Sequence, residues 1–353
     1  VVMEPTGVYG DCVRYQCEKA GCQIFMVRPK FTHDHAEVYD GVPSMHDGKA
    51  ACVLAELHAL GRSKKWQPDS EQARQLRALI DQRRFYCTLL KPAQGQVEAL
   101  LSRWWPGFDG VLDVYQSKTA RRLLLEYASA SEVADREADA LEFMRKASRG
   151  TLGVEKRRRV IEVAKNNLAQ PMLPQEKQLV QTIVGQLDEL TNRIAGIDEQ
   201  LRPVVQDNET LRRMAAVVGT GTAATIMALV GNPLDYDSAS AFEKAIGLNL
   251  KVRSSGEKSG QLAITKRGNG HCRQLMYLAS LRHIQDCEIG RAWYQGRKCF
   301  AADQKKKAVV AVMRKLVKAL WHVARGESFD PRKLYDVRRL NLTVAGDKQQ
   351  AAA

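Results

Sequence analysis

The sequence predicts a three-part chain: a small α/β region, a helical middle with a coiled-coil seam, and a mainly α C-terminal domain. Three observations carry this. Short apolar runs alternate with helical stretches as far as about Trp66, an unbroken 3-4-3-4 apolar alternation runs from Val180 to Leu201, and short Gly-broken helices follow Asp207. The 353 residues divide accordingly into 1–69, a partial α/β domain; 70–205, helical and coiled-coil; 206–340, a helical domain; and 341–353, a tail read as disordered.

The first line, Val1-Val2-Met3-Glu4-Pro5-Thr6-Gly7-Val8-Tyr9-Gly10, is an apolar run that delivers a carboxylate into a Gly-bounded turn. It opens in mid-element, so the reading expects a supporting strand upstream. A helix from Gly10 to Ala20, the turn at Gly21 and the apolar run from Cys22 to Val27 complete a βαβ unit. A second helix, Lys49 to Leu60, has Asp47 at its mouth. That carboxylate reads either as a helix cap or, with Glu4, as half of a magnesium site. Two-metal phosphoryl chemistry asks for three or four carboxylates around ions roughly 4 Å apart. His33, Asp34, His35 and His46 have no regular metal-ligand spacing and read as a solvated loop.

In the middle region, Glu71 to Leu101 and Ser131 to Lys146 read as helices. Val180, Ile183, Leu187, Leu190, Ile194, Ile197 and Leu201 form the coiled-coil seam, bounded by Pro174 and Pro203. Its role is helix pairing, within the chain or between copies. The chain closes with a basic amphipathic helix from Lys305 to Arg325.

Composition narrows the function. Apolar residues make up 44% and charged residues 27%, a globular balance. No apolar run reaches the roughly 20 residues of a membrane span, which reads as a cytoplasmic protein without a membrane partner. The eight cysteines form no CxxC pair, so neither a disulfide framework nor a zinc site is indicated. Formal net charge is +14, and between Lys251 and Arg325 there are 17 Lys and Arg against four acidic residues, a net of +13. Such a local excess favours nucleic acid over a merely solvated basic face.

Two stretches offer chemistry. Val217-Val218-Gly219-Thr220-Gly221-Thr222 is a helix end, a Gly-x-Gly turn and a helix start. It resembles the helix-hairpin-helix turn, in which Gly219 and Gly221 let backbone N–H groups face a phosphate, although a plain helix–helix turn has the same composition. Further on, Ser254-Ser255-Gly256 forms a loop among Lys251, Arg253, Lys258, Lys266 and Arg267, with Arg273 beyond. These cations suit a phosphodiester whose charge they stabilise while a serine oxygen attacks it. Ser beside Gly is also ordinary loop composition.

In order, EPTGVYG, PSMHDGKAACVLAELHALGR, VVGTGTAATIMALVG, FEKAIGLNLKVRSSG and ITKRGNGHCRQLMYLA resemble the IS110/IS1111-type insertion-sequence transposases, over roughly Val1 to Arg325. That resemblance implies an α/β RuvC-like (RNase H-like, DEDD) N-terminal domain, present here as a remnant, then a coiled coil and a C-terminal transposase domain. It implies DNA transposition by a serine recombinase: a catalytic serine linked covalently to DNA, a magnesium-binding carboxylate site, double-stranded DNA and a structured guide RNA as partners, and a homo-oligomer through the coiled coil. The setting would be a bacterial or archaeal cytoplasm, at the nucleoid. Glu4 matches the family's Glu and Asp47 its third acidic residue; Ser255 matches the serine before Gly, with Ser254 a close second. Two departures stand out. The family's first Asp would lie upstream of Val1, and its last falls where this chain has Ala50. Only two of four carboxylates remain, so the reading expects nucleic-acid binding without recombination.

Overall fold

The computed structural model describes residues 1–255, 258–298, 305–336, 338 and 340, the side chains of 252–255, 258–261, 297 and 298 excepted. The tail assigned to 341–353 lies outside the described residues. By compactness the chain forms two units, Val1–Gln72 and Ala73–Ala353.

The first unit is a three-stranded sheet with helices. β1 (Val2–Met3) leads through a short 3-10 turn into α1 (Asp11–Lys19), and β2 (Phe25–Val27) returns parallel to β1 with Val2 opposite Phe25. This is the expected βαβ unit. α2 (Pro29–Asp40) and α3 (Asp47–Ala59) follow, then β3 (Ser63–Lys65), antiparallel to β2. Val27, Val53 and Leu57 form the unit's buried core, with Val2 and Leu54 packed against it.

Two features of this unit differ from the sequence reading. His33, Asp34 and His35 stand on a helix, not in a loop: Pro29 occupies the first turn of α2, where its fixed φ and missing N–H cost nothing. β3 carries Ser-Lys-Lys and so lacks any apolar alternation; lysines suit an edge strand that must not pair further.

The second unit is built on two long helices. α4 (Glu71–Trp104) precedes four shorter helices, α5 (Lys118–Tyr127), α6 (Ala130–Asp135), α7 (Glu137–Ala147) and α8 (Val154–Lys165), and α9 (Pro174–Asp207) runs back. At 34 residues each, the two long helices measure about 50 Å. Arg83 bonds Asp198 at 2.6 Å, Arg193 bonds the Tyr86 hydroxyl at 3.1 Å, and Arg103 lies 3.9 Å from Glu176. Numbers fall along α9 as they rise along α4, so the pair is antiparallel.

That pairing accounts for the apolar seam. Val180 and Leu187 are buried in one core with Ala93, Val97 and Leu101 of α4 and the apolar faces of α5 to α8. Ile197 and Leu201 are buried in a second core with Leu76 and Ile80. The seam is filled inside the single chain, by α4 among others. The stretch expected as one helix from Ser131 to Lys146 is two, broken at Arg136.

The second core is the C-terminal half. α10 (Glu209–Val218), α11 (Thr220–Val230), α12 (Ala239–Ile246), the antiparallel hairpin β4 (Leu250–Ser255) and β5 (Lys258–Ile264), α13 (Gly270–Asp286), α14 (Glu288–Lys298), α15 (Lys305–Ala324) and α16 (Pro331–Leu334) follow in order. α15 is not the basic surface helix its charges suggest. Val309, Val312, Met313, Leu316, Val317, Leu320 and Val323 are all buried along one broad face, the amphipathic pattern expected, and that face lies in the core. Two of its cations turn inward to the buried Glu243 of α12: Arg314 by a hydrogen bond, Lys318 at 3.3 Å. Lys315 bonds the Leu334 carbonyl and lies over the Trp293 and Tyr335 rings. Exposed charge remains at Lys305, Lys306 and Lys307.

Among the described residues no helix is long and apolar enough to cross a membrane.

Candidate nucleic-acid interface

The hairpin is held at its base by a crossing of two backbones. Gly247 ends α12 in the left-handed region at φ 83°, and Gly268 passes against it. A methyl on Gly268 would sit 2.4 Å from the Ala245 carbonyl oxygen and 2.5 Å from the Ile246 carbonyl carbon, separations atoms do not adopt. Around the crossing, Lys266 N–H donates to the Gly247 carbonyl at 3.0 Å, and the Thr265 hydroxyl meets Asn249 Oδ1 at 2.6 Å. Arg273, from α13, closes the knot with bonds to the carbonyls of Ile246 (3.1 Å) and Gly268 (2.7 Å). Its guanidinium staples the base rather than projecting as an open cation. Lys251, Lys266 and Arg267 are exposed around that base. Lys266 adopts φ 56°, unusual for a residue with a side chain.

The Ser-Ser-Gly stretch, read as a loop, belongs to the far end of this hairpin. Ser254 and Ser255 are the last residues of β4; Ser255 pairs with Lys258, and the register is irregular between Arg253 and Ser255. Gly256 lies outside the described residues, as do the side chains of Arg253, Ser254, Ser255 and Lys258. The backbone nevertheless carries both serines away from a rigid base to a strand end.

The Gly-x-Gly turn sits in the same unit. Gly219, at φ 85° and ψ 154°, is the single residue between α10 and α11, and Gly221 lies in the first turn of α11. Only a residue without Cβ takes that conformation easily. No side chain caps α11, so its first N–H groups face outward with the positive end of the helix dipole. Two arginines stand over them. A methyl on Gly221 would be 3.7 Å from Arg83 Cζ, and one on Gly219 would be 3.4 Å from Arg282 Nη1. Asp198 holds Arg83 in place and raises its pKa further.

Electropositive character extends along α4. His271, in the first turn of α13, has its pKa lowered by burial and then by Arg84, Arg83 and Lys91, so its ring is neutral near pH 7. Arg84 and Lys91 are exposed. Arg83 and Arg282 therefore stand beside the α11 N-terminus, and Arg84 and Lys91 add positive charge on the side of α4 toward His271. Sequence reasoning passed over these four. Arg84 and Lys91 lie two turns apart on α4 with Arg83 beside them, a signal that was present. Cys272, packed on the Thr225 carbonyl, is no rival nucleophile, since burial pushes its thiol up to about 12.

The carboxylates belong to the first unit. Glu4 is half-buried just past β1; its neighbour Pro5 lines a cleft of about 360 Å³ with Arg28, Arg62 and Lys64 at the carboxyl ends of β1 and β2. Asp47 is exposed at the first position of α3 and is not the cap. His46 fills that role, its Nδ1 accepting from Lys49 N–H at 3.2 Å. Lys49 is buried and donates to Asp40 (2.6 Å) and to the carbonyls of Val42 (2.6 Å) and Ser44 (2.9 Å), pinning the loop before α3. Its bond holds the Asp40 carboxyl below the usual range. Position 50 presents a methyl group, and among the described residues no three His, Cys, Asp or Glu side chains converge as metal ligands. Glu4 and Asp47 as they stand do not fit a magnesium pair.

Residues 209–295, from α10 into α14, match the family model Transposase IS116/IS110/IS902 family. Over these residues the chain is similar to the IS110-type insertion-sequence transposases. The matched segment contains the Gly-x-Gly turn, the glycine crossing and the whole hairpin. The chain is 30% identical over 120 residues to the transposase for insertion sequence element IS1111A of Coxiella burnetii, covering 33% of each. It is 28% identical over 140 residues to the transposase for insertion sequence element IS1328 of Yersinia enterocolitica, covering 38% of this chain and 41% of the relative. The chain thus spans under half the length of these curated relatives. α15, beyond the matched residues, completes the transposase domain's core.

Proposed function

We propose that this chain acts in the cutting and rejoining of insertion-sequence DNA, with the hairpin serine as nucleophile, and that in its present form it binds nucleic acid without exchanging strands. The observation that carries the reading is the transposase domain itself: one rigid base presents both the serine-bearing hairpin and, through α11 and α13, basic residues suited to phosphates. Ser255 is the preferred nucleophile and Ser254 the alternative, since the register irregularity falls between Arg253 and Ser255. Attack of the serine oxygen on phosphorus would form a serine–phosphate ester as one P–O bond to a sugar breaks; the serine proton is lost, the departing sugar oxygen takes one up to leave as a free hydroxyl end, and backbone N–H groups and arginines would balance the developing charge.

Double-stranded DNA is the partner these basic residues support. A structured guide RNA, a RuvC-like identity for the first unit and magnesium enter through the family resemblance alone. Magnesium takes no part in the step proposed, because Glu4, Asp47 and Ala50 do not converge as its ligands among the described residues. That same defect favours the second reading, a non-catalytic nucleic-acid-binding protein derived from such a transposase. A second copy would have to pair through a face other than the buried seam. The cellular setting follows from the reading: cytoplasm, at the nucleoid.

A gel-shift titration with a DNA duplex tests binding. Affinity should fall steeply with salt, and Arg84→Ala/Lys91→Ala should lessen the slope of log K against log salt by about 2, roughly one per phosphate contact. Salt-independent binding, or none at low salt, would contradict the reading.

A further inference from the structure

We propose that the chain has a second surface for a sugar-phosphate backbone, on the helical lobe formed by α5 to α8 and well outside the transposase domain. The turn from α7 into α8 carries seven Lys and Arg between residues 145 and 159 against one acidic residue, Glu155. Arg145, Lys146, Arg149, Lys156, Arg158 and Arg159 are exposed.

Their positions on the helices separate cations that serve the fold from cations that do not. Arg145 and Lys146 stand in the last turn of α7, where the helix dipole favours positive charge, and both reach Glu142, at 2.7 and 3.5 Å. Lys156, Arg158 and Arg159 stand in the first two turns of α8, at the positive end of the dipole, where each is disfavoured. Lys156 and Arg159 are also three residues apart on one helix face, a repulsive spacing for like charges. Glu155 and Glu162 offset part of this, at 3.6 Å from Arg158 and 2.6 Å from Arg159. Folding alone would place acids here, so the cations point to an anion that is not part of the chain.

The shape beside them suits an extended polyanion. A groove of about 540 Å³ is lined by Glu155, Lys156, Arg159 and Val163 of α8 and by Gly107, Gly110 and Val111. At Gly107 and Gly110 no side chain keeps a backbone at a distance. A row of phosphates along a groove meets spaced cations as a single small anion does not, and the nucleic-acid class of this partner rests on the function proposed above.

The test is fluorescence anisotropy on the full chain with a labelled DNA duplex and, separately, a labelled RNA, between about 50 and 200 mM salt. Lys156→Ala/Arg158→Ala/Arg159→Ala should weaken binding about tenfold at the lowest salt and lessen the log–log salt slope by about 3. Loss for the duplex alone assigns the surface to DNA, loss for RNA alone assigns it to RNA, and loss for both assigns the shared backbone. Unchanged affinity and slope for both overturns the proposal, as does loss of binding to anionic vesicles without loss for either nucleic acid. A circular dichroism melt checks folding. Should the triple variant fail it, Arg158→Lys/Arg159→Lys must keep binding while Arg158→Gln/Arg159→Gln loses it, and equal binding by those two overturns the proposal. Arg84→Ala/Lys91→Ala, run alongside, reports the basic residues of α4 independently, so one surface can fail while the other stands.

Discussion

Replacing Gly268 by alanine lowers the stability of the second unit by about 3 kcal/mol or more, because the added methyl meets backbone rather than a movable side chain. The Ala245 carbonyl oxygen and the Ile246 carbonyl lie 2.4 to 2.6 Å from where it must go, and both belong to the last turns of α12. Relief requires α12 and the loop before α13 to part, breaking the Arg273 bonds and the Lys266–Gly247 bond together. In a thermal melt the midpoint should drop by roughly 6–12 °C for a unit of this size. Nucleic-acid binding should weaken with it, since the hairpin loses its fixed base. A midpoint within about 2 °C of the parent would mean that the crossing is looser than described.

Glu243→Ala comes next in expected size. The carboxylate is 3% exposed and faces both Arg314 and Lys318, which are 27% and 43% exposed. Removing it leaves two cations side by side against an apolar core, and part of their charge is still reached by water. A loss of about 2–3 kcal/mol is expected, below the full cost of unpairing a wholly buried charge. Urea unfolding measures it, and Glu243→Gln should recover part of the loss by keeping a hydrogen-bond acceptor. A change under about 1 kcal/mol would show that α12 and α15 are held by apolar packing alone.

Much of the architecture was legible because its signals are local. Val1 to Met3 and Cys22 to Val27, separated by a polar helix and Gly21, have few ways to pair other than in parallel. The 3-4-3-4 seam likewise found its complement, but α4 answers it across a hundred residues, and a heptad cannot say whether its partner lies in the same chain. The hairpin was obscured by its own chemistry. Leu250 and Val252 alternate as a strand should, yet Ser-Ser-Gly reads as loop composition, and the strand is made only by pairing with residues 258–264. α2 was missed because Thr32, His33, Asp34 and His35 supply no apolar stripe, whereas Pro29 had marked its start.

The candidate interface divides in the same way. Gly219 and Gly221 were visible as a turn, and that turn sits at the head of α11. Arg83 reaches it from α4, more than a hundred residues earlier, so no window of sequence joins them. Arg273 shows the converse. Its charge suggested a phosphate contact, and its geometry makes it a staple. Asp47 was weighed as a cap, but His46 accepts the bond one residue earlier.

The central claim is that nucleic-acid binding survives here while the carboxylate site does not support chemistry. The most direct measurement incubates this chain with insertion-element DNA in magnesium and, in parallel, in EDTA, following bound and cleaved or exchanged strands together. Salt-sensitive complexes of equal affinity in both buffers, with no strand product in either, are the predicted result. Magnesium-dependent cleavage or strand exchange by this chain would contradict it.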